Sequence, residues 1–560
     1  MGVCARFGGR SESGTAMETG TGPGRFETHE VANQPPPFAQ RDLWKDDVVL
    51  REAVQREGGG RLAGDVARYA ALAGSTLLEL SFDAHRDRPR LSTHDATGRR
   101  IDRVDFHPNY HALMDAAVAH GVAGLSWRDG GPGAHVARAA LSYLHHQVEP
   151  GTSCPLTMTH AAVPVLRREP SLAGWAERAA APHYDPREVP ALDKAGITLG
   201  MGMTEKQGGS DVRANTTRAV PDGDAWRLVG HKWFFSAPMS DGFLVLAQAP
   251  AGLTCLLMPR LLEDGTKNAF HLQRLKDKVG DWSNASSEVE FRGALAWQVG
   301  EEGRGVATIL EMVMLTRLDC MLGAAAQMRI ALAQATHHCR HRSAFGRLLV
   351  EQPLMRNVLA DLAIESEAAT VLAMRTARAV DAAPHDPAEA ALARIVTAAG
   401  KYWLCRRAPA FVNEAQECLG GNGYVEESLL ARLYRQAPLN SIWEGSGNVQ
   451  CLDVLRAQAK EPATGAAVRA EIEAAQGMHP ALDRAAAALP GQLATAGEAG
   501  ARYLVERLAL ALQASLLLRI GSPVADAFCR SRLGGEHGLA MGTLPDGVAV
   551  RELLERVLPG

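Results

Sequence analysis

Three short segments of this 560-residue chain place reactive or ligand-binding residue types at spacings that chemistry uses. In Ser441-Ile-Trp-Glu-Gly-Ser-Gly-Asn448 a single carboxylate, Glu444, lies beside an aromatic ring and two glycines. That run suits neither a helix interior nor a strand, so it reads as a tight loop holding Glu444 in a partly apolar place. Desolvation there raises a carboxyl pKa toward the range of a general base, the plainer alternative being a solvated loop glutamate. In Gly202-Met-Thr-Glu-Lys-Gln-Gly-Gly-Ser-Asp211 the glycines and the hydroxyls of Thr204 and Ser210 let backbone N–H groups approach a ligand closely. An ordinary β-turn loop has the same composition. In Gly230-His-Lys-Trp-Phe-Phe-Ser236, strand alternation puts Phe234 and Ser236 on one face. A flat ring could lie on Phe234 with Ser236 bonding its edge, or the aromatics could be barrel core.

These segments need elements to position them, and the hydrophobic period changes along the chain in a way that supplies them. Residues 1–26 are Gly/Ser-rich and aperiodic, which predicts a disordered extension, with Met17 as a second plausible start. Within a first domain at 27–194 the pattern from Leu43 to about Ala180 is mostly helical, closing on a Pro-rich stretch at 181–190. Between 195 and 302 short β-rich runs follow one another across turn clusters, which favours an antiparallel sheet or barrel. Long helices return over 303–460, and 461–560 is an Ala/Leu-rich helical tail. The predicted fold class is multidomain α+β: helices, a middle antiparallel β-barrel, a helical bundle, then an extra helical domain.

Composition excludes several classes of function. The 46% hydrophobic and 22% charged residues describe a folded protein, and a net charge of -4 gives no global attraction to nucleic acid. Nine cysteines, odd in number and without a C-x-x-C pair, point to reduced thiols. With no secretory signal and no apolar run long enough to span a bilayer, the expected location is cytoplasmic. No G-x-G-x-x-G, Walker A, H-E-x-x-H or G-x-S-x-G motif is present. His337, His338 and His341 cluster without an identifiable further ligand, so no metal site is assigned and a polar helix face is the better reading.

Taken together, the three segments resemble the acyl-CoA dehydrogenase superfamily, whose domain order is the one just described. Cys418-Leu-Gly-Gly-Asn-Gly-Tyr424 resembles a further signature of that family. Within it the chain is most similar to the AidB branch, through Val31-Ala-Asn-Gln-Pro35, Cys154-Pro-Leu-Thr-Met-Thr159, Arg274-Leu-Lys-Asp-Lys278 and Cys451-Leu-Asp-Val-Leu-Arg456. The resemblance implies an FAD-containing homotetramer of the DNA alkylation response that binds double-stranded DNA and has weak, isovaleryl-CoA-like acyl-CoA dehydrogenase activity. A metabolic enzyme for short or branched acyl-CoA, with the tail serving assembly, is the alternative.

The same resemblance implies roles for individual residues. Glu444 is the catalytic base, its own N–H helping the oxyanion; the other place some branches use is Thr316-Arg317, which lacks a carboxylate. Met203, Thr204, Ser210, Phe234, Phe235, Ser236, Trp443, Gly445 and Asn448 contact FAD within one subunit. Arg342 and the loop carrying Gly420 and Gly421 reach it across a subunit boundary. Trp443 either narrows the acyl pocket or stacks beside the flavin. Glu417 stands where the family has Gln, and Phe234 where it has Trp. For DNA, the tail holds nine Arg and no Lys against eleven Asp+Glu, so a segregated face is required. The candidates are Arg456, Arg519, Arg530 and Arg532.

Overall fold

The computed structural model describes residues 27–559; the extension read at 1–26 and the alternative start lie outside the described residues. The mostly helical N-terminal region also holds one hairpin. Strands β1 (Arg90–His94) and β2 (Arg100–Asp105) pair antiparallel within it. Asp95 makes their turn: its Oδ1 accepts from the N–H groups of Thr97 (2.8 Å) and Arg99 (2.9 Å), and Gly98 takes φ 80°. A side chain that satisfies two backbone donors stabilises a turn against helix here.

Two buried helices follow, α1 (Ala134–Val148) and α2 (Pro150–Arg167). Pro150 occupies the first helical position of α2, where its missing N–H costs nothing, and Glu149 caps Gly151 N at 3.0 Å. Thr159 on α2 then accepts from Leu199 N (2.9 Å), tying the helix to the first strand of the middle domain.

That domain is a closed barrel of β3 (Leu199–Gly202), β4 (Arg218–Asp222), β5 (Ala225–Ser236), β6 (Gly242–Ala249), β7 (Gly252–Pro259), β8 (Phe270–Leu275) and β9 (Ser286–Val299). The ring runs β6–β4–β5–β9–β7 and back to β6. It is antiparallel except at β6, which pairs parallel with β3 and, through Arg218↔Gln248, with β4. Phe235, Phe243, Phe270 and Phe291 fill the interior, with ring centroids 4.4–6.1 Å from Phe235 or, for the Phe243–Phe270 pair, 5.7 Å apart.

The bundle is built on α3 (Gly305–His341), α4 (Pro353–Ala382) and α5 (Pro387–Glu417). Most of α3 is buried around its whole circumference, which makes it the central helix. Its Asp319 is locked to Arg138 of α1, both side chains almost fully buried, and Thr157 of α2 donates to the same carboxylate at 2.6 Å. That network fixes the turn of α3 just before it, Thr316-Arg317. Helix α6 (Gly447–Lys460) leads into the tail, where α7 (Ala501–Arg519) and α8 (Val550–Val557) pack Leu504, Leu508, Leu512 and Leu554 into the same core as the bundle. Arg329 and Arg340 grip the end of α8 through the carbonyls of Val557 and Leu554, each at 2.8 Å. All eight described cysteines are free and buried. Among the described residues no helix is long and apolar enough to cross a membrane.

Candidate active site

The Glu444 loop owes its shape to captured carbonyls. Lys401, 1% exposed in the middle of α5, donates to Trp443 O (2.6 Å) and to Gly445 O. Arg317 Nε donates to Glu444 O (3.1 Å), and Gln450 Nε2 to the carbonyls of Glu444 and Gly445, both at 3.0 Å. Every carbonyl from 443 to 445 is therefore held by a side chain from a helix. This holds Glu444 at φ 56° and Gly445 at φ 95°. A left-handed glutamate costs about 1–3 kcal/mol and persists where its surroundings over-determine it. Gly445 adopts a backbone conformation that other residues take up only with strain, and a Cβ there would displace the Gln450 amide, 2.4 Å away, from the carbonyls it holds.

The carboxyl of Glu444 is thereby aimed at α3, where the Thr316 hydroxyl donates to Oε2 at 2.6 Å. Although an edge of the residue stays accessible, burial dominates and raises its pKa above the ordinary glutamate range. The Thr316 bond, Lys401 and Arg317 pull in the opposite direction and moderate the shift. Arg317 is itself neutralised by Asp453 at 2.8 Å, whereas Lys401 has no carboxylate partner among the described residues. A carboxyl tuned upward and rigidly oriented can remove a proton near neutral pH. Trp443 beside it donates Nε1 to Asn440 Oδ1 (3.0 Å) and rests against both large apolar clusters, one of which also holds Met203 and Cys154. Burial pushes the Cys154 thiol up to about 12, so it stays neutral.

The Gly202–Asp211 segment is organised by a pair the sequence reading passed over. Glu205 and Lys232 are both fully buried and 2.8 Å apart. Glu205 also accepts from the N–H groups of Thr216 (2.7 Å) and Thr217 (3.1 Å), and Lys232 donates to Leu246 O (2.8 Å) and Met203 O (3.3 Å). Burial alone would raise the Glu205 carboxyl, yet Lys232 and the N–H donors bring it down to about 2. Thr204 O accepts from Trp233 N at 2.9 Å, which joins the loop to β5. Thr204 is half-buried and Gly202 buried, whereas Gly208, Gly209 and Ser210 stand exposed.

A bulge in β5 between Lys232 and Phe235 changes the alternation. Lys232 and Phe235 both point inward, while Phe234 is 52% exposed and Ser236 half-buried on the outer face. Lys276 Nζ lies 3.2 Å from the Trp233 ring centroid and 4.7 Å from that of Phe234. Phe235 is thus a correction: with no exposed surface and three phenylalanines around it, its ring is barrel core and cannot face a flavin.

The remaining predicted residues fall into separate places. Arg342 donates to Asn33 O at 2.6 Å and precedes a hairpin (β10, Ser343–Ala344, with β11, Arg347–Leu348) whose tip, Phe345, is fully exposed. Gly420 and Gly421 lie exposed in a 3-10 turn. No hydrogen bond joins either element to the Glu444 loop within one chain among the described residues. Asn448, at the start of α6, accepts from Arg502 at 2.8 Å. His337 bonds Pro36 O (2.8 Å) and packs edge-on against Phe38, so it secures the N-terminal arm.

The predicted arginine face is corrected in part. Arg532 is buried against Asp361 and Glu365, its side chain 7% exposed, and cannot reach a duplex. Arg530 is paired with Glu536 (2.7 Å) and Arg519 with Glu471 (2.9 Å). Arg456 alone of the four is exposed with no ion pair among the described residues. Arginines in a helical segment with more acids than bases find intramolecular partners, which composition foretells but does not assign. Lys401 did leave a signal: a lone cation in the apolar run Thr397-Ala-Ala-Gly-Lys-Tyr-Trp-Leu-Cys405 has no outward face to occupy.

Comparison with known proteins agrees with this arrangement. Residues 33–186 match the "Adaptive response protein AidB N-terminal domain", 200–294 the acyl-CoA dehydrogenase middle domain and 303–459 the acyl-CoA dehydrogenase C-terminal domain. The chain is 46% identical over 523 residues to the AidB protein of Escherichia coli (strain K12), covering 92% of this chain and 96% of that one. It is 31% identical over 434 residues to acyl-CoA dehydrogenase family member 11 of Caenorhabditis elegans, covering 74% and 70%. Its fold is similar to the crystal structure of Caenorhabditis elegans ACDH-11 in complex with C11-CoA, with a TM-score of 0.81, 25% identity and coverage of 96% and 95%. The chain belongs to the AidB branch of the acyl-CoA dehydrogenase family.

Proposed function

We propose that the chain is an FAD-containing protein that abstracts the α-proton of an acyl-CoA thioester with Glu444, and that it also binds duplex DNA in the response to alkylation. The first part is carried by one observation: a buried carboxyl with a raised pKa, held in a left-handed backbone by three captured carbonyls. FAD is the family's cofactor, and residues here suit it: the open Phe234 ring, the Ser236 hydroxyl on the same face, and the glycine-rich loop with Thr204 and Ser210. FAD, when bound, supplies a two-electron acceptor. The chain's own work is to take the proton on Glu444 Oε, to keep that carboxyl oriented through Thr316, and to shut the site with Trp443. The test is anaerobic mixing of the flavin-loaded protein with short and branched acyl-CoAs. Bleaching of the oxidised flavin band by wild type, lost in Glu444→Gln, supports the reading; equal bleaching by both refutes it.

DNA binding and protection from alkylation draw support from the adaptive-response description of the matching N-terminal family and from Arg456, exposed and unneutralised. The expected result is salt-sensitive affinity for duplex, with Arg456→Ala reducing the salt slope by about 1 per chain. No affinity at low salt from the intact protein would leave the acyl-CoA reading standing alone. A homotetramer belongs to the same proposal: Phe345, Tyr424 (80% exposed) and Leu354 (82% exposed) are large apolar side chains left open beside Arg342 or the Gly420 turn. Light scattering checks it.

A further inference from the structure

The turn at residues 278–284, between β8 and β9, is shaped by the same device as the Glu444 loop. Lys278 Nζ donates to the carbonyls of Asp281 (2.8 Å) and Asn284 (2.6 Å), and Trp282 Nε1 donates to Lys278 O at 2.9 Å. These bonds hold Asp281 at φ 49°, a left-handed conformation that persists where the surroundings over-determine it. Gly280 is wedged against the end of the helix Leu429–Gln436, where a Cβ would meet Arg435 O at 2.7 Å. Ser283 Oγ donates to Glu149 Oε1 (2.8 Å), which ties the turn to the start of α2.

A turn braced this firmly still ends in acceptors that nothing satisfies. Asp281 and Asn284 are each 3% exposed, and neither Asp281 Oδ1 nor Asn284 Oδ1 has a hydrogen-bond partner among the described residues. Glu149 Oε2 has none either, although Arg432 Nη1 stands 3.6 Å away. A buried acceptor without a donor is destabilising, so a cluster of them calls for a group that brings O–H or N–H.

Cys154 of α2 locates the cluster. The Asn284 amide rests against its thiol, and that thiol is within electrostatic reach of Asp281 and Lys278 and also of the Glu444 carboxyl. Cys154 belongs to the apolar cluster on which Trp443 and Met203 pack. The turn and the base are therefore neighbours of one small side chain. Burial pushes the Asp281 carboxyl up to about 7 against the pull of Lys278, so both protonation states occur near neutral pH. A hydroxyl, which donates and accepts, pairs with either state. An ammonium does not, and Lys278 and Arg432 already supply positive charge there.

We propose that Asp281 and Asn284 form the polar end of the acyl pocket and select an acyl-CoA whose chain carries a hydroxyl beyond the β-carbon. The inference rests on the acyl-CoA reading of Glu444 and names the substrate class. With its α-carbon at Glu444, the chain passes Cys154, and its hydroxyl meets Asp281 Oδ1 and Asn284 Oδ1.

The experiment titrates full-length, flavin-loaded protein calorimetrically with 4-hydroxybutyryl-CoA and 5-hydroxyvaleryl-CoA, each beside the unsubstituted thioester of the same length. Glu444→Gln is carried throughout, so that binding is read without turnover. This parent binds a hydroxylated thioester about 10- to 100-fold more tightly than its unsubstituted match at one length or both, the size of a buried hydrogen bond. Asp281→Gly, which suits the left-handed backbone, and Asn284→Leu, similar in shape, each bring that ratio down toward unity. A general loss of fold or flavin weakens both thioesters together and leaves the ratio unchanged. A parent ratio at or below unity at both lengths, or a ratio that both variants preserve, overturns the proposal and assigns the free acceptors to buried water alone. A parent that binds no thioester overturns it as well. The acyl-CoA reading fails separately, as wild-type flavin that neither kind of thioester bleaches.

Discussion

The Glu444 loop and the tail both depend on cations, and they use them in opposite ways. Around Glu444, Lys401 and Arg317 donate to backbone carbonyls, and Lys401 makes no ion pair among the described residues. In the tail, Arg519, Arg530, Arg532 and Arg556 meet Glu471, Glu536, Asp361 with Glu365, and Glu52 with Glu367. The first arrangement leaves an electrostatic field for a substrate to use. The second neutralises charge to fix helix against helix. An arginine count therefore says little about phosphate binding until each partner is known.

If that contrast is correct, substitutions in the two regions act on different observables. The largest effect is expected from Glu444→Gln, which lowers the rate of acyl-CoA-dependent flavin reduction by about 10²- to 10⁴-fold, measured by stopped-flow absorbance. Because the base acts only when ionised, the wild-type rate falls as pH falls, with its inflection above the ordinary glutamate value of 4.5. Stability follows the opposite sign. A carboxyl raised by burial contributes stability below its unfolded pKa and loses it as pH rises through the folded one. Glu444→Gln should therefore gain on wild type in denaturant midpoint as pH goes from acid to neutral.

Next in size is Arg532→Ala, which removes the partner shared by Asp361 and Glu365 but leaves them His537 (2.9 Å) and Arg407 (3.0 Å). A loss of about 1.5–3 kcal/mol in urea unfolding is expected, without selective loss of DNA affinity. Lys401→Met removes the donor to Trp443 O and lets the loop relax, at a cost of about 1–3 kcal/mol and with a fall in flavin-reduction rate larger than stability explains. A rate that stays at the wild-type level would show that the captured carbonyls do not orient the base. The smallest effect belongs to Arg519→Ala, whose half-exposed pair with Glu471 is worth within about 1 kcal/mol.

Much of this was legible in the residues. The change of period located the barrel and the long helices, and the Trp-Glu-Gly run located the Glu444 loop, because glycines beside a lone carboxylate suit a loop better than a helix or strand. Less visible were features set by one side chain acting across the fold. The β1–β2 hairpin depends on Asp95 closing its own turn. Phe235 differs from Phe234 through a bulge that shifts a period of two, which no alternation count foresees. Thr316-Arg317, notable in sequence for lacking a carboxylate, turned out to bond the carboxyl and the carbonyl of Glu444.

The sequence by itself determined the order of helical and strand regions, the family and the loop that carries Glu444, since all three rest on local pattern and motif. Only the tertiary structure decided which charges remain available. Lys401 makes no ion pair among the described residues, Arg532 is neutralised by two acids more than 160 positions away in the chain, and Arg502 is brought from the tail to the cavity beside the Glu444 loop. The physical reason is range: helix and strand propensities act over a few residues, whereas charge pairing and desolvation are set by whatever the fold brings within a few ångströms.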